Sequence, residues 1–187
     1  YNLLEERLNR KNFKNTKFFT YADTVTTINY SKTNKGHGWI GVRFQNNSNE
    51  KPSDLIIHVV LHDQDAKLQQ ETIGIIGTNL LHACFNETHP KNILIRIYDS
   101  LEKEQFEIDM VEATGPAFKN IDNRLLSLTL VKERMTNAVI FTPDGINHRP
   151  YDILYKKNIL TLRGSFRPVT KVNIDMMEKG LAQFQKS

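Results

Sequence analysis

Two arginines and two hydroxyl side chains stand close together in the sequence, just before the last predicted helix. They are Arg163, Ser165, Arg167 and Thr170. The first turn of a helix offers unpaired N–H groups and the positive end of the helix dipole. Guanidinium and hydroxyl donors beside it suit a phosphate or carboxylate group, so the sequence predicts an anion-binding loop here. The alternative is that Thr170 or Asn173 simply caps the helix, while the arginines pair with surface carboxylates.

A strand predicted over residues 55–63 carries two histidines that could do acid–base chemistry. His58 and His62 are separated by about 13 Å along such a strand. That distance is too long for both imidazoles to bind one zinc ion at about 2 Å, so we expect no metal site. We take His58 and Asp109, which lies in a later predicted strand, as the candidate catalytic residues. The alternative for His58 is a hydrogen-bonded histidine on the face of a sheet.

Arginines on other predicted strands could hold an anion beside these two residues. Alternation along the strands brings Arg43 and Arg96 onto faces that also carry aromatic residues, and Arg163 falls at the end of a strand. If these faces coincide, one side of the sheet is polar and binds a negatively charged small molecule. The alternative is that each arginine forms an ordinary cross-strand ion pair.

The elements that must position these residues predict an α/β fold, with α+β as the alternative. The order strand–strand–helix occurs twice, with first strands that begin at Trp39 and Ile93, and a strand over 24–30 precedes them. The second unit has strands over 93–99 and 105–112 and a helix over 120–135. A closing strand over 158–163, a loop and a helix follow. We expect a mixed sheet in a single domain over 24–187, after a basic lead-in over 1–23, in a chain that is part of a longer protein.

A helix predicted over 64–85 contains two glycines on one stripe, Gly74 and Gly77. Glycine inside a helix costs about 1 kcal/mol relative to alanine, so something is expected to approach this stripe closely. The approaching group could be a ligand, a partner helix or the sheet. Packing on the sheet is the most economical explanation.

Composition limits the class of protein. The chain has 187 residues and a net charge of +4, from 25 basic and 21 acidic residues that are interspersed. A clustered basic face is therefore not evident, which argues against nucleic acid as a partner. No apolar run approaches the length needed to cross a membrane. The single cysteine, Cys84, excludes a disulfide framework within the chain, and we expect a reducing cytoplasm.

Several runs resemble a family of poorly characterised bacterial proteins. The runs are GWIGVRFQ (38–45), QQETIGIIGTNLL (69–81), EIDMVEATGPAF (107–118), DNRLLSLTLV (122–131) and LYKKNILTLRGSFRPVT (154–170). Members carry the labels nicotinate- or nicotinamide-nucleotide adenylyltransferase, or TonB-dependent receptor. An adenylyltransferase of that type has HxGH and ISSTxxR motifs, of which GHG (36–38) and RGSFRPVT (163–170) are only faint echoes. A receptor of the other type needs a signal peptide, and none is visible. The resemblance therefore implies a bacterial, cytoplasmic protein and assigns no activity.

Two functional hypotheses remain from the sequence. The first is a domain that binds or acts on a phosphorylated or nucleotide-like small molecule. The second is a non-catalytic structural or regulatory module that self-associates as a homo-oligomer. The sequence has no GxxxxGK[ST], GxSxG or HExxH motif, so it names no cofactor, and whether the protein is an enzyme stays open.

Overall fold

The computed structural model of the chain describes residues 18–46 and 50–186, together with Glu6. Most of the predicted lead-in over 1–23 lies outside this range, and its last residues, from Phe18, already belong to the first strand. The chain divides into two compact units, residues 1–150 and 151–187, where the sequence predicted one domain from residue 24. Each unit is described by itself.

The first unit is built on a four-stranded sheet in the order β1-β2-β3-β4. The strands are β1 (Phe18–Thr26), β2 (Gly36–Gln45), β3 (Ser53–Leu61) and β4 (Phe106–Thr114). The predicted class, a chain of helices and sheet, is confirmed. The sheet itself is antiparallel throughout rather than mixed, because the two helices between β3 and β4 return the chain so that β4 runs opposite to β3. A second, two-stranded sheet pairs β5 (Ile140–Phe141) with β6 (Asn147–His148).

Five α-helices complete the described chain. They are α1 (Ala66–Asn86), α2 (Pro90–Ile97), α3 (Asn123–Lys132), α4 (Pro150–Leu154) and α5 (Lys171–Phe184), with a short 3-10 turn at Pro116–Phe118. Helix α1 begins after Asp65, whose side chain caps it by accepting hydrogen bonds from the N–H groups of Lys67 and Leu68. None of the helices in the described residues is both long and apolar enough to cross a membrane.

The core lies between one face of the sheet and helices α1, α2 and α3. Alternate residues of β3 are buried there, Leu55, Ile57, Val59 and Leu61, and they pack with Ile76 and Leu80 of α1. Because neighbouring side chains of a strand point to opposite faces, the residues between them lie on the other face. His58 is one of these residues.

The strand predicted over 93–99 is wrong, because this segment is helix α2. His89 caps the helix through its Nδ1 atom, and Pro90 occupies the first turn. Ile93, Leu94 and Ile97 are all buried, at the spacing of one helical face. A short run such as ILIRI fits either a strand or a helix, so its periodicity could not decide. The second predicted strand–strand–helix unit is therefore helix–strand–helix.

The closing strand predicted over 158–163 is also wrong. Residues 158–170 have no regular secondary structure. A strand needs a neighbour that accepts its hydrogen bonds, and the described part of the second unit, 151–186, contains no strand that could pair with it. The helix that follows is confirmed as α5.

An irregularity in the β3–β4 pairing positions the candidate site. His58 pairs with Met110 and Val59 pairs with Ile108, so that Asp109 is an extra residue on β4 with no partner on β3. This arrangement is a β-bulge, which redirects side chains on the bulged strand. After the bulge, Val111 and Ala113 face the core. In a regular strand, alternation from Ile108 would have placed Met110 there instead.

Candidate functional site

The two candidate catalytic residues lie side by side. His58 Nδ1 is 2.6 Å from Asp109 Oδ1, and both residues are buried, with 3% and 6% of their surfaces exposed. By alternation Asp109 lies on the side of β4 opposite the buried Ile108, which is the face of the sheet that carries His58, and the bulge leaves Asp109 without a paired residue on β3. A buried ion or polar group needs such a partner, so each residue accounts for the burial of the other.

The other ring nitrogen of His58 faces two basic side chains. Arg149 Nη1 lies 3.0 Å from His58 Nε2, and His37 Nδ1 lies 3.4 Å from the same atom. The Trp39 ring meets the His58 ring edge-on at 5.0 Å between centroids, and the Arg149 guanidinium stands 5.4 Å from the centroid of Trp39. We call these five residues, His37, Trp39, His58, Asp109 and Arg149, the histidine cluster.

Asn147 of β6 fixes the chain just before Arg149. Its Nδ2 atom donates to the Val111 carbonyl at 3.2 Å and to Ser127 Oγ at 2.7 Å, which ties β6 to both β4 and α3. Arg149 follows two residues later and therefore reaches the sheet face from an anchored segment. The guanidinium is then positioned by its contacts with His58 and Trp39 on the sheet.

His37 is the accessible member of the cluster. Its pKa is lowered, first because partial burial disfavours the charged imidazole, and then through electrostatic interactions with His58 and Arg149; Asp109 opposes this effect. His37 lies at the start of β2, opposite Val60 of β3. It thus stands between the solvent and the buried His58 ring.

The arginines predicted as clamps lie elsewhere. Arg43 makes a bidentate ion pair with Asp54, with Nε–Oδ1 at 2.6 Å and Nη2–Oδ2 at 2.8 Å, as the cross-strand alternative predicted. Arg96 is on helix α2 and not on the sheet, where it lies 3.5 Å from Glu87 and from Asp99. The guanidinium at His58 is instead that of Arg149.

The predicted anion-binding loop belongs to the second unit. Arg163, Ser165 and Arg167 are exposed there. Thr170 is the N-cap of α5: its hydroxyl accepts from the N–H of Asn173 at 3.4 Å, while its own N–H donates to Asn173 Oδ1 at 2.8 Å. The hydroxyl of Thr170 is thereby committed to the helix, as the capping alternative predicted.

A basic pocket of about 260 Å³ lies where β3 ends. Its basic side chains are Lys32, Lys35 and His62, and none of the residues that line it, all in the described part of the chain, is an acid. The loop that presents the lysines is tied to helix α1, because the Ile28 N–H donates to the buried Gln69 Oε1 at 2.7 Å. The pocket therefore offers a fixed, positively charged concavity.

The chain matches no protein-family model, no curated protein and no solved structure. The resemblance to a bacterial family stays a prediction. The function is therefore argued from the geometry of the histidine cluster itself.

The sequence nominated His58 and Asp109 but missed Arg149. Arg149 is 91 residues from His58, in a short irregular segment where no periodic pattern marks it. Cys84 is buried in α1, and burial raises the pKa of its thiol to about 12, which disfavours the nucleophilic thiolate. Within the described residues, no three His, Cys, Asp or Glu side chains are grouped so as to hold a metal ion.

Proposed function

We propose that the chain binds and acts on a phosphorylated small molecule, with His58 as general base. The observation that carries this proposal is the placement of His58 between a carboxylate and a guanidinium: Nδ1 lies 2.6 Å from Asp109 and Nε2 lies 3.0 Å from Arg149. The contact with Asp109 orients the ring, and the contact with Arg149 determines that Nε2 carries a lone pair.

The partners of His58 determine which nitrogen carries the proton. A guanidinium can only donate hydrogen bonds, so Nε2 must accept from Arg149 and therefore carries a lone pair. The proton of the neutral ring is then on Nδ1, from which it is donated to Asp109. An imidazole with its lone pair on Nε2 and a carboxylate at Nδ1 is the arrangement of a general base.

Proton uptake by His58 would end its hydrogen bond with Arg149. Once Nε2 carries a proton it can no longer accept from Arg149, and the two donors repel. A phosphate group placed between them would attract both, because the guanidinium donates through a planar set of N–H groups that suits phosphate oxygens. Asp109 meanwhile stabilises the imidazolium. The same event thus activates a water or substrate hydroxyl and strengthens the hold on the phosphate.

The basic pocket supports an anionic substrate. Lys35 lines the pocket and stands two residues before His37 of the cluster on β2. The cations of the pocket and of the cluster therefore belong to neighbouring parts of one sheet. Phosphate esters and nucleotide-like molecules are the anions that fit this charge. We further propose a cytoplasmic setting, supported by the buried, free thiol of Cys84.

A thermal-shift screen tests the proposal with nucleotides, sugar phosphates, nicotinamide mononucleotide and inorganic phosphate. A ligand at about 100 times its Kd raises the free energy of unfolding by about 2.7 kcal/mol. We expect one phosphorylated compound to stabilise the wild type and the control Arg43→Ala, but not Arg149→Ala. The hit is then incubated with the wild type and with His58→Gln, and we expect turnover only by the wild type.

Two outcomes contradict the proposal. Stabilisation that persists in Arg149→Ala would remove the cluster from the binding site. If it were lost instead in Arg163→Ala and Arg167→Ala, the loop of the second unit would be the anion site. Turnover that persists in His58→Gln would show that His58 is not the base. The alternative function, self-association, has support of its own in strand β1.

A further inference from the structure

Strand β1 is an open edge of the sheet. It pairs on one side with β2 through an unbroken ladder over Phe18–Thr26, and none of the described residues pairs with its other side. Nine residues of strand present about 30 Å of unpaired backbone. Proteins that stay monomeric usually protect such an edge with lysine, proline or a bulge. Strand β1 contains none of these.

The opposite edge of the same sheet is closed. Backbone groups of β4 that point away from β3 form hydrogen bonds with later segments of the chain. The Ile108 N–H donates to the Met135 carbonyl, and the Val111 carbonyl accepts from Asn147 Nδ2. The Ala113 N–H and carbonyl both bond to the side-chain amide of Asn123. The distances from donor to acceptor are between 2.8 and 3.2 Å. Among the described residues, the fold thus protects the β4 edge and leaves the β1 edge unpaired.

We propose that β1 pairs antiparallel with β1 of a second copy, which joins two four-stranded sheets into one sheet of eight strands. This inference goes beyond the proposed function and does not depend on the histidine cluster. All nine residues of β1 pair only if the two-fold axis passes through Ala22, the middle residue of Phe18–Thr26. A closed two-fold dimer of this kind uses the same surface on both copies.

The residues of β1 are complementary to themselves about Ala22. On the exposed face, Thr20 lies opposite the partner's Thr24, and threonine pairs are favourable across strands. On the face toward α1, Phe19 lies opposite the partner's Val25, an aromatic and β-branched pair. The only charged residue of the strand, Asp23, meets the partner's Tyr21 and not a second carboxylate. The axis at Ala22 therefore creates no like-charge pair.

Helix α1 carries a second sign of a missing neighbour. A Cβ atom at Gly74 would meet nothing within 4 Å, so no group in the described part of the chain explains a glycine inside this helix. Gly74 lines a groove of about 240 Å³ between α1 and β1, together with Tyr21 and Asp23, beside the open edge. A two-fold axis through Ala22 and perpendicular to the sheet places the α1 helices of both copies on the same side of the joined sheet, next to these grooves.

Light scattering during size-exclusion chromatography, across a dilution series, tests the dimer. We expect the wild type to be a dimer that dissociates on dilution. Ala22→Lys places two ammonium groups opposite each other on the axis, which should raise the dissociation constant by about fivefold or more. Ala22 is exposed, so this lysine should be tolerated by the isolated fold. Thr114→Lys, an exposed position on β4, is the matched control and should remain dimeric.

A charge exchange identifies the axis. Ala22→Lys and Ala22→Glu should each dissociate at higher protein concentration than the wild type, while an equimolar mixture should associate more tightly than either variant alone. Circular dichroism of the three samples verifies that each is folded. A monomeric wild type at every concentration would overturn the proposal. A dissociation constant that is unchanged in Ala22→Lys would place the interface elsewhere and would overturn it as well.

Discussion

At the level of single side chains, the contact between His58 and Asp109 is expected to stabilise the fold because both partners are buried. Removing one partner leaves the other buried without a hydrogen bond, and that loss costs about 1–3 kcal/mol. We therefore expect Asp109→Ala to lower the free energy of unfolding by about that amount, measured by urea unfolding. Asp54→Ala breaks the exposed pair with Arg43 and should cost less than about 1 kcal/mol. Equal losses in the two variants would contradict a structural coupling of His58 and Asp109.

His37 should make the fold sensitive to mild acid. Its pKa in the folded chain is lowered from the ordinary 6.5, so the unfolded chain binds more protons between the two values. Stability is therefore unaffected by this group above about pH 6.5 and decreases as the pH falls from there through the lowered pKa. We expect the melting temperature of the wild type to fall relative to that of His37→Gln over this interval. A constant difference between the two proteins would show that His37 does not contribute.

The sequence could nominate two of the five residues of the histidine cluster, for a physical reason. Alternation along β4 is enough to place Asp109 on the face opposite the core, but which residue of β3 lies beside it depends on the register of the two strands, and a bulge of one residue sets that register. No local pattern encodes that bulge. Arg149 arrives from 91 residues away and depends on how Asn147 attaches β6 to β4, which is a property of the folded chain alone.

Among the secondary-structure elements, α1 was predicted closely and α2 was not. Helix α1 is long, begins with an aspartate cap and repeats its apolar residues over several turns, so local signals agree with each other. Helix α2 has eight residues, and its isoleucines favour a strand by intrinsic preference. Burial of Ile93, Leu94 and Ile97 against the core decides its conformation. The prediction therefore succeeded for the long helix, whose apolar repeat extends over several turns, and failed for the short one.

The close packing of α1 on β1 depends on Gly77, which confirms the predicted approach of the sheet to this helix. A Cβ atom at Gly77 would lie 2.8 Å from the Tyr21 hydroxyl and 3.0 Å from its ring carbon Cζ. Overpacking of this kind costs about 1–3 kcal/mol, which outweighs the gain of about 1 kcal/mol from alanine in a helix. We expect Gly77→Ala to be destabilised by about 1 kcal/mol in chemical unfolding.

Gly74→Ala is the matched control for this helix, because its added methyl group meets nothing in the chain. Measured in the Ala22→Lys background, where association is suppressed, it should stabilise the fold by about 1 kcal/mol. If Gly74→Ala and Gly77→Ala had the same effect there, the contact with Tyr21 would not be what sets the position of α1.

For the chain as a whole, burial is concentrated in the first unit. Every buried apolar residue that forms the core lies between Ile28 and Met135. In the described part of the second unit, 151–186, no residue is buried, and α5 exposes several large apolar side chains, including Val172, Met176 and Met177. Burial of apolar surface is the main favourable contribution to folding, so stability is expected to reside in the first unit.

This distribution predicts that the first unit folds without the second. A chain that ends at Pro150 retains all of the core residues, the four-stranded sheet and the histidine cluster. We expect its urea unfolding to remain cooperative, with a midpoint close to that of the full chain. Ending the chain at Asp122 instead removes α3, whose Leu126 and Leu130 belong to the core, and should abolish the cooperative transition. Loss of the transition in the chain that ends at Pro150 would mean that residues 151–187 take part in the cooperative unit.

The chain that ends at Pro150 also distinguishes the two candidate anion sites. A phosphorylated ligand held by Arg149 should still stabilise it, whereas one held by Arg163 and Arg167 should not.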